Sequence, residues 1–314
     1  MKAVLFDLDG VITSERIYWN CSGLALAKFR GERIPESARE KVKLAQRMLP
    51  DSITRGFKEN GVNSNWDIAY ASAILTRAGK DIGWFIKELK KRDMKGVAYL
   101  KLLDEIDLTE KHDRDGGSWG DAHKRFQACY YDLEDTDEPI IPLPKIKKAL
   151  EELKSMGLKL GIVSGRPLRE ARRPLEKWGL WGYFDKNMII TDDDIVEQEK
   201  KSGKHMGKPD PWPVLYAIFK NQEALGECLD PQDGYMNVKT SCGEGKPADA
   251  KINGDYILVG DSVADVLSAK NAGIKVICVK TGITNEKTLR EAGADVIVSD
   301  ITKVPKKIRE LDFS

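Results

Sequence analysis

The sequence predicts an α/β protein, a doubly wound parallel sheet with an inserted block of helices. Three observations predict it. Short apolar runs at 158–163, 188–191, 256–259, 275–279 and 295–298 are separated by amphipathic stretches, the strand and helix alternation of a parallel sheet covered on both faces. Residues 3–6 have the same composition and end in Asp7-Leu8-Asp9-Gly10, so they read as a central strand of that sheet delivering polar residues at its carboxyl end. Between residues 15 and 138 helical periodicity replaces the strand-like runs, which makes this stretch an insertion after the first strand.

Taken in order, the insertion carries apolar spacing of about 3.6 at 17–29, 35–49, 68–78, 84–91, 97–103 and 122–133, and each is predicted as a helix. Pro139-Ile140-Ile141-Pro142-Leu143-Pro144 stiffens the return, with Pro144 suited to the first position of a helix over 145–156. The core domain is therefore discontinuous, 1–14 with 139–314. Its remaining helices are expected at 168–178, 211–225, 263–272 and 285–292. Residues 226–254, rich in Gly, Asp and Lys and without periodicity, exceed ordinary loop length and read as an insertion of unassigned role: a lid, a hairpin excursion or a disordered tract.

Bulk properties exclude some function classes. The 314 residues are 41% hydrophobic, enough for an ordinary core, and 51 Lys plus Arg against 50 Asp plus Glu give no net field to draw nucleic acid or an anionic membrane. No stretch approaches the ~18 apolar residues of a membrane span, so neither nucleic acid nor membrane is an expected partner; oligomeric state is not legible. Cys21, Cys129, Cys228, Cys242 and Cys278 are scattered without a C-x-x-C pattern, as reduced thiols of a cytoplasmic protein would be, with a Cys228 to Cys242 bridge the alternative. Three histidines without helical spacing argue against a zinc site and for oxygen ligands if a metal binds.

Four polar clusters follow or flank predicted strands, where open α/β sheets form their ligand crevice. Asp7-Leu8-Asp9-Gly10 brings two carboxylates and a glycine turn to one place, or is simply an acidic strand end. Ser164-Gly165-Arg166 offers a hydroxyl and main-chain N–H groups for phosphoryl oxygens, or an N-cap serine. Gly207-Lys208-Pro209-Asp210-Pro211 fixes one ammonium between prolines, or is a surface turn. Gly260-Asp261-Ser262-Val263-Ala264-Asp265 puts one acid in a loop and one a turn into a helix, where acids also complement the helix dipole. All four bland alternatives would have to hold together, in order and at successive strand ends.

Asp7-x-Asp9-Gly10, Ser164, Lys208 and Gly260-Asp261-x-x-x-Asp265 resemble, in order, the four motifs of the haloacid dehalogenase (HAD) superfamily, and the helical insertion at 15–138 resembles the cap of its C1-type members. The resemblance implies a Rossmann-like HAD core and a magnesium-dependent phosphatase acting on a small phosphorylated metabolite through an aspartyl-phosphate. It implies Asp7 as nucleophile and Asp9 as acid and then base, with Ser164, Gly10, Gly165 and Arg166 around the phosphate and Lys208 screening Asp7. It implies metal ligation by Asp7, Asp9 through its main-chain carbonyl, and Asp261, with Asp265 behind them. A β-phosphoglucomutase-like phosphomutase is the nearest alternative and a catalytically idle binding protein a more distant one. Specificity is expected from two insertion loops, Arg55 to Trp66 and Asp113 to Gly120, with Arg55 as the candidate substrate contact.

Overall fold

The computed structural model of the chain describes residues 3–60, 62, 64–94, 98–109, 111–112, 117–220, 229–230, 237–238 and 256–311. The chain divides into two compact units, Met1–Ser14 with Pro139–Ser314, and Glu15–Glu138.

The first unit is built on six described strands, all parallel, in the order β3-β2-β1-β6-β7-β8: β1 (Ala3–Phe6), β2 (Lys159–Val163), β3 (Ile189–Ile190), β6 (Tyr256–Gly260), β7 (Lys275–Val279) and β8 (Val296–Val298). A short antiparallel pair, β4 (Leu229–Asp230) and β5 (Asn237–Val238), lies in the 226–254 stretch. Strand β1 sits between β2 and β6 despite the long insertion that follows it, because its four residues are all apolar and all buried, a composition suited only to a strand covered on both faces. Alternation then divides its side chains. Val4 and Phe6 pack with residues of α8 (Leu143–Ser155), α9 (Leu168–Lys177) and α14 (Val304–Glu310). Ala3 and Leu5 face the other way, onto a cluster that includes α11 (Trp212–Lys220), α12 (Val263–Asn271) and Leu289 of α13 (Glu286–Ala292). Two apolar layers on one sheet are what a doubly wound fold requires.

Some elements differ from the sequence expectation. Pro144 takes the second helical position of α8, whose N-cap is Pro142. Helix α10 (Asp192–Ser202) was not expected, since among its residues only Ile195 and Gln198 are buried and no apolar stripe announces it. It is held instead by its ends: a capping box between Thr191 and Asp194, and a left-handed Gly203 at its C-terminus.

The second unit is helical: α1 (Arg16–Phe29), α2 (Ala38–Met48), α3 (Asp51–Glu59), α4 (Asn65–Arg77), α5 (Ile82–Lys91), α6 (Tyr99–Ile106) and α7 (Gly117–Leu133). One apolar cluster joins Phe57, Ile68, Tyr70, Phe85, Leu89 and Leu102, and a second joins Ile17, Leu24, Leu44, Phe126 and Tyr130. Helix α3 takes up residues 55–59 of the expected Arg55 to Trp66 loop, because burial of Thr54, Phe57 and Lys58 along one face outweighs the helix cost of Gly56. Residues 113–116 of the other expected loop lie outside the described residues. Its Trp119 belongs to α7, stacks on His123, and donates its indole N–H to Asp67 Oδ1 at 2.9 Å.

Candidate active site

Because β1, β2, β6 and β7 run parallel, the polar residues that follow them share one edge of the sheet. The ladder extends one residue past two of the strands: Asp7 N donates to Val259 O at 2.9 Å, and Ser164 N donates to Ile190 O at 3.0 Å. Asp7 is thereby fixed next to Asp261, which follows β6. Asp7, Asp261 and Asp265 are all buried, and each offers a carboxylate oxygen within 4.8 Å of the others.

Lys208 enters this acid cluster from the loop before α11. Its Nζ lies 3.0 Å from Asp7 Oδ1 and 2.7 Å from Asp265 Oδ1, and donates to Val163 O at 3.2 Å. Burial pushes the Asp7 carboxyl up to about 7; Lys208 opposes the shift, while Asp265 and Asp9 add to it. For Lys208 burial works in the opposite sense, against the charged ammonium, yet Asp265 and Asp7 together hold its pKa above the usual lysine value.

Asp265 is spent on architecture. Besides Lys208 on Oδ1, its Oδ2 accepts from Asp261 N at 3.2 Å, Ser262 N at 3.1 Å and Ser262 Oγ at 2.6 Å. The Ser262 and Asp265 pair is a capping box at the start of α12. The capping reading of this cluster therefore holds, and the cap fixes the loop that carries Asp261 beside Asp7.

Two glycines make room for the Asp261 carboxylate. Gly10 has φ +77°, and a Cβ there would stand 2.5 Å from Asp261 Cγ. Gly282, in the loop after β7, would place a Cβ in direct overlap with Asp261 Oδ2. Thr281 Oγ1 ties the same loop to Gly10 O at 2.5 Å. This further strand-end segment, Lys280-Thr281-Gly282, was missed in the sequence, although a glycine just past a predicted strand was the signal that could have found it.

The remaining expected residues fall as follows. Ser164 is buried and its Oγ accepts from Arg166 N at 3.2 Å. It does not cap α9, whose N-cap is Pro167. Gly165 is exposed beside open space. Arg166, expected at the phosphate, is buried and forks onto Asp9, with Nη2 to Oδ1 at 2.6 Å and Nε 3.1 Å from both oxygens. Asp9 lies outside the cluster of three acids and also accepts from Thr13 Oγ1 at 2.9 Å. Arg55 is exposed on α3 of the helical unit.

The model of the haloacid dehalogenase-like hydrolase family matches residues 1–229, and a second, HAD-hydrolase-like model matches residues 205–304. The chain belongs to the haloacid dehalogenase-like hydrolases. Among relatives in this family, pyrophosphatase PpaX of Bacillus velezensis is 28% identical over 172 residues, 55% of this chain and 62% of the relative. Phosphoglycolate phosphatase of Aquifex aeolicus is 32% identical over 142 residues, 44% of this chain and 48% of the relative. The chain thus spans less than two thirds of the length of either. A crystal structure from a structural genomics consortium aligns over 100% of both chains with a TM-score of 0.70 at 22% identity. A hydrolase from Pseudomonas syringae aligns over 99% of both with a TM-score of 0.52 at 16% identity. These two likenesses show a shared fold.

Proposed function

We propose that the chain is a magnesium-dependent phosphatase of small phosphorylated metabolites, working through an aspartyl-phosphate on Asp7, with residues 15–138 as its cap domain. The observation that carries the proposal is the buried Asp7 carboxylate, set at a strand end between the Lys208 ammonium and two further acids. Relatives named for pyrophosphate and phosphoglycolate support the class of substrate.

The donor set fits a hard divalent cation. Asp7 and Asp261 supply clustered, buried carboxylate oxygens, whereas both oxygens of Asp265 are engaged by Lys208 and the α12 cap. Asp7, Asp261 and the Asp9 main-chain carbonyl would hold the ion, and Asp265 would orient Asp261. When bound, magnesium neutralises the acids and the phosphate dianion they would otherwise repel. An Asp7 oxygen attacks phosphorus; the O–P bond forms as the ester P–O bond breaks, and Asp9 gives its proton to the departing oxygen. Asp9 then takes a proton from water, whose oxygen attacks the phosphorus and releases Asp7. Lys208 balances charge on Asp7 throughout, and the Ser164 hydroxyl with nearby N–H groups receives the phosphoryl oxygens. Arg55 is the proposed cap contact with substrate. A phosphomutase would use the same aspartates, and a requirement for a bisphosphate in turnover would distinguish it.

The direct test is a panel of phosphorylated metabolites assayed with magnesium. Chelation should stop turnover and magnesium restore it, while calcium, which favours more ligands, should inhibit. Magnesium needs the ionised carboxylate, so protons compete with it below the Asp7 pKa of about 7. Calorimetric titration at pH 6 and pH 8 should therefore show weaker binding at the lower pH, by about tenfold. Equal affinity at both would contradict a role for Asp7 as ligand.

Gly282 offers a second check. Gly282→Ala forces the Asp261 carboxylate out of its cradle, and magnesium affinity should fall about 10- to 100-fold, as for other groups that orient a metal ligand. Unchanged affinity in a folded variant would remove Asp261 from the ligand set.

A further inference from the structure

Arg166 is buried on all sides, with a side-chain exposure of 1%. Its guanidinium is held by more than Asp9: Nη1 donates to Glu170 O at 3.3 Å, in the first turn of α9, and Nη2 to Ser14 O at 3.5 Å. Those two carbonyls come from separate segments of the core unit, one following β2 and one following β1. A planar fork anchored in this way cannot turn towards a phosphate without abandoning Asp9 and both carbonyls. Its donors meet Asp9 Oδ1 twice, and Thr13 Oγ1 adds a third on the same oxygen, while Nε also reaches Oδ2 at 3.1 Å. The carboxyl group is thus fixed in orientation by the guanidinium fork and the Thr13 hydroxyl.

We infer that Arg166 is a positioning residue that acts through Asp9 to aim the leaving-group acid, and not a ligand of the transferring phosphate. The inference rests on the phosphatase proposed above. In the first half-reaction the Asp7 O–P bond forms, the P–O bond to the leaving oxygen breaks, and the Asp9 proton moves to that oxygen. An alkyl leaving group needs the proton, since an alkoxide is a poor leaving group, while 4-nitrophenolate departs largely without it. kcat/KM reports the steps up to that departure and excludes hydrolysis of the aspartyl-phosphate that follows. A misaimed acid therefore shows as a selective loss of kcat/KM on alkyl esters.

The experiment compares glycerol 3-phosphate or another turned-over alkyl phosphate with 4-nitrophenyl phosphate, using the full chain with magnesium. Variants are Arg166→Lys, which keeps the buried charge but not the fork, Arg166→Gln, and Asp9→Asn. The expected result is a kcat/KM loss on the alkyl ester that exceeds the loss on the aryl ester by about tenfold or more in Arg166→Lys, and by more in Asp9→Asn. The Ki of inorganic phosphate should stay near the parent value in Arg166→Lys. In the Asp9→Asn background, adding Arg166→Lys should change the alkyl-to-aryl ratio little, because the residue it positions is already gone. If Arg166→Gln fails to fold, Arg166→Lys alone decides. Equal losses on the two esters, or a marked rise in the phosphate Ki, would overturn the assignment. Should Asp9→Asn be selective for the alkyl ester while Arg166→Lys is not, the phosphatase stands and the positioning role falls. No turnover of any phosphate ester by the parent chain would remove both.

Discussion

Asp7→Asn is expected to lower magnesium-dependent turnover by a factor on the order of 10⁴ or more, the scale seen when a nucleophile is removed. The change keeps the shape of the side chain and abolishes the charge that attacks phosphorus in the proposed mechanism. It should not cost stability in the metal-free protein. Burial together with Asp265 and Asp9 already makes the Asp7 charge unfavourable, enough to push its pKa up to about 7 against the pull of Lys208. Lys208 keeps Asp265 as a partner at 2.7 Å in the variant. The expected pattern is thus a folded, inactive protein whose melting temperature at neutral pH without metal equals or exceeds that of the parent. Substantial residual magnesium-dependent hydrolysis would rule out Asp7 as nucleophile. A clear drop in melting temperature would show instead that its pairing with Lys208 outweighs its burial.

Lys208→Met should produce the second largest effect, on activity and stability together. It removes the cation lying 3.0 Å from Asp7 and 2.7 Å from Asp265, and leaves two buried acids beside Asp261 without their shared counter-charge. Loss of one partner from a buried ionic group costs about 3–5 kcal/mol, and loss of one preorganised charge at a reacting centre about 10²- to 10³-fold in kcat. The stability deficit should depend on pH, and its sign follows from linkage. Without Lys208 the buried Asp7 binds its proton more tightly in the folded than in the unfolded chain, where it keeps its ordinary value of 3.8. The folded state then carries the excess protons, so stability falls as pH rises above that value and the deficit is larger at pH 7 than at pH 5. Urea unfolding of parent and variant at the two pH values measures it. A deficit that grew on acidification would mean that Lys208 is not the counter-charge of this cluster.

The sequence alone determined the parallel sheet and which polar residues lie at its carboxyl edge. Its strands are short, continuous apolar runs, and a run such as Ala3–Phe6 satisfies physics only when both faces are covered. A polar residue directly after such a run has to emerge at the carboxyl edge, which is why Asp7, Ser164 and Asp261 could be placed on that edge before any coordinates. Helices without an apolar stripe, such as α10, were not legible, since end capping and local ion pairs such as Glu197 with Lys201 hold them. Helix α3 was hidden for a related reason: Gly56 and Asn60 resemble loop chemistry until Phe57 and Lys58 are seen to be buried.

Only the tertiary structure decided what each site residue is paired with. Arg166 meets Asp9 across a separation of 157 positions, and the Gly282 cradle of Asp261 comes from a loop after a different strand. Sequence pattern records the period of a helix or strand, which is a local property. It does not record which of several donors wins a given carboxylate, because that choice is made by distance and burial once β1, β2, β6 and β7 have been brought side by side.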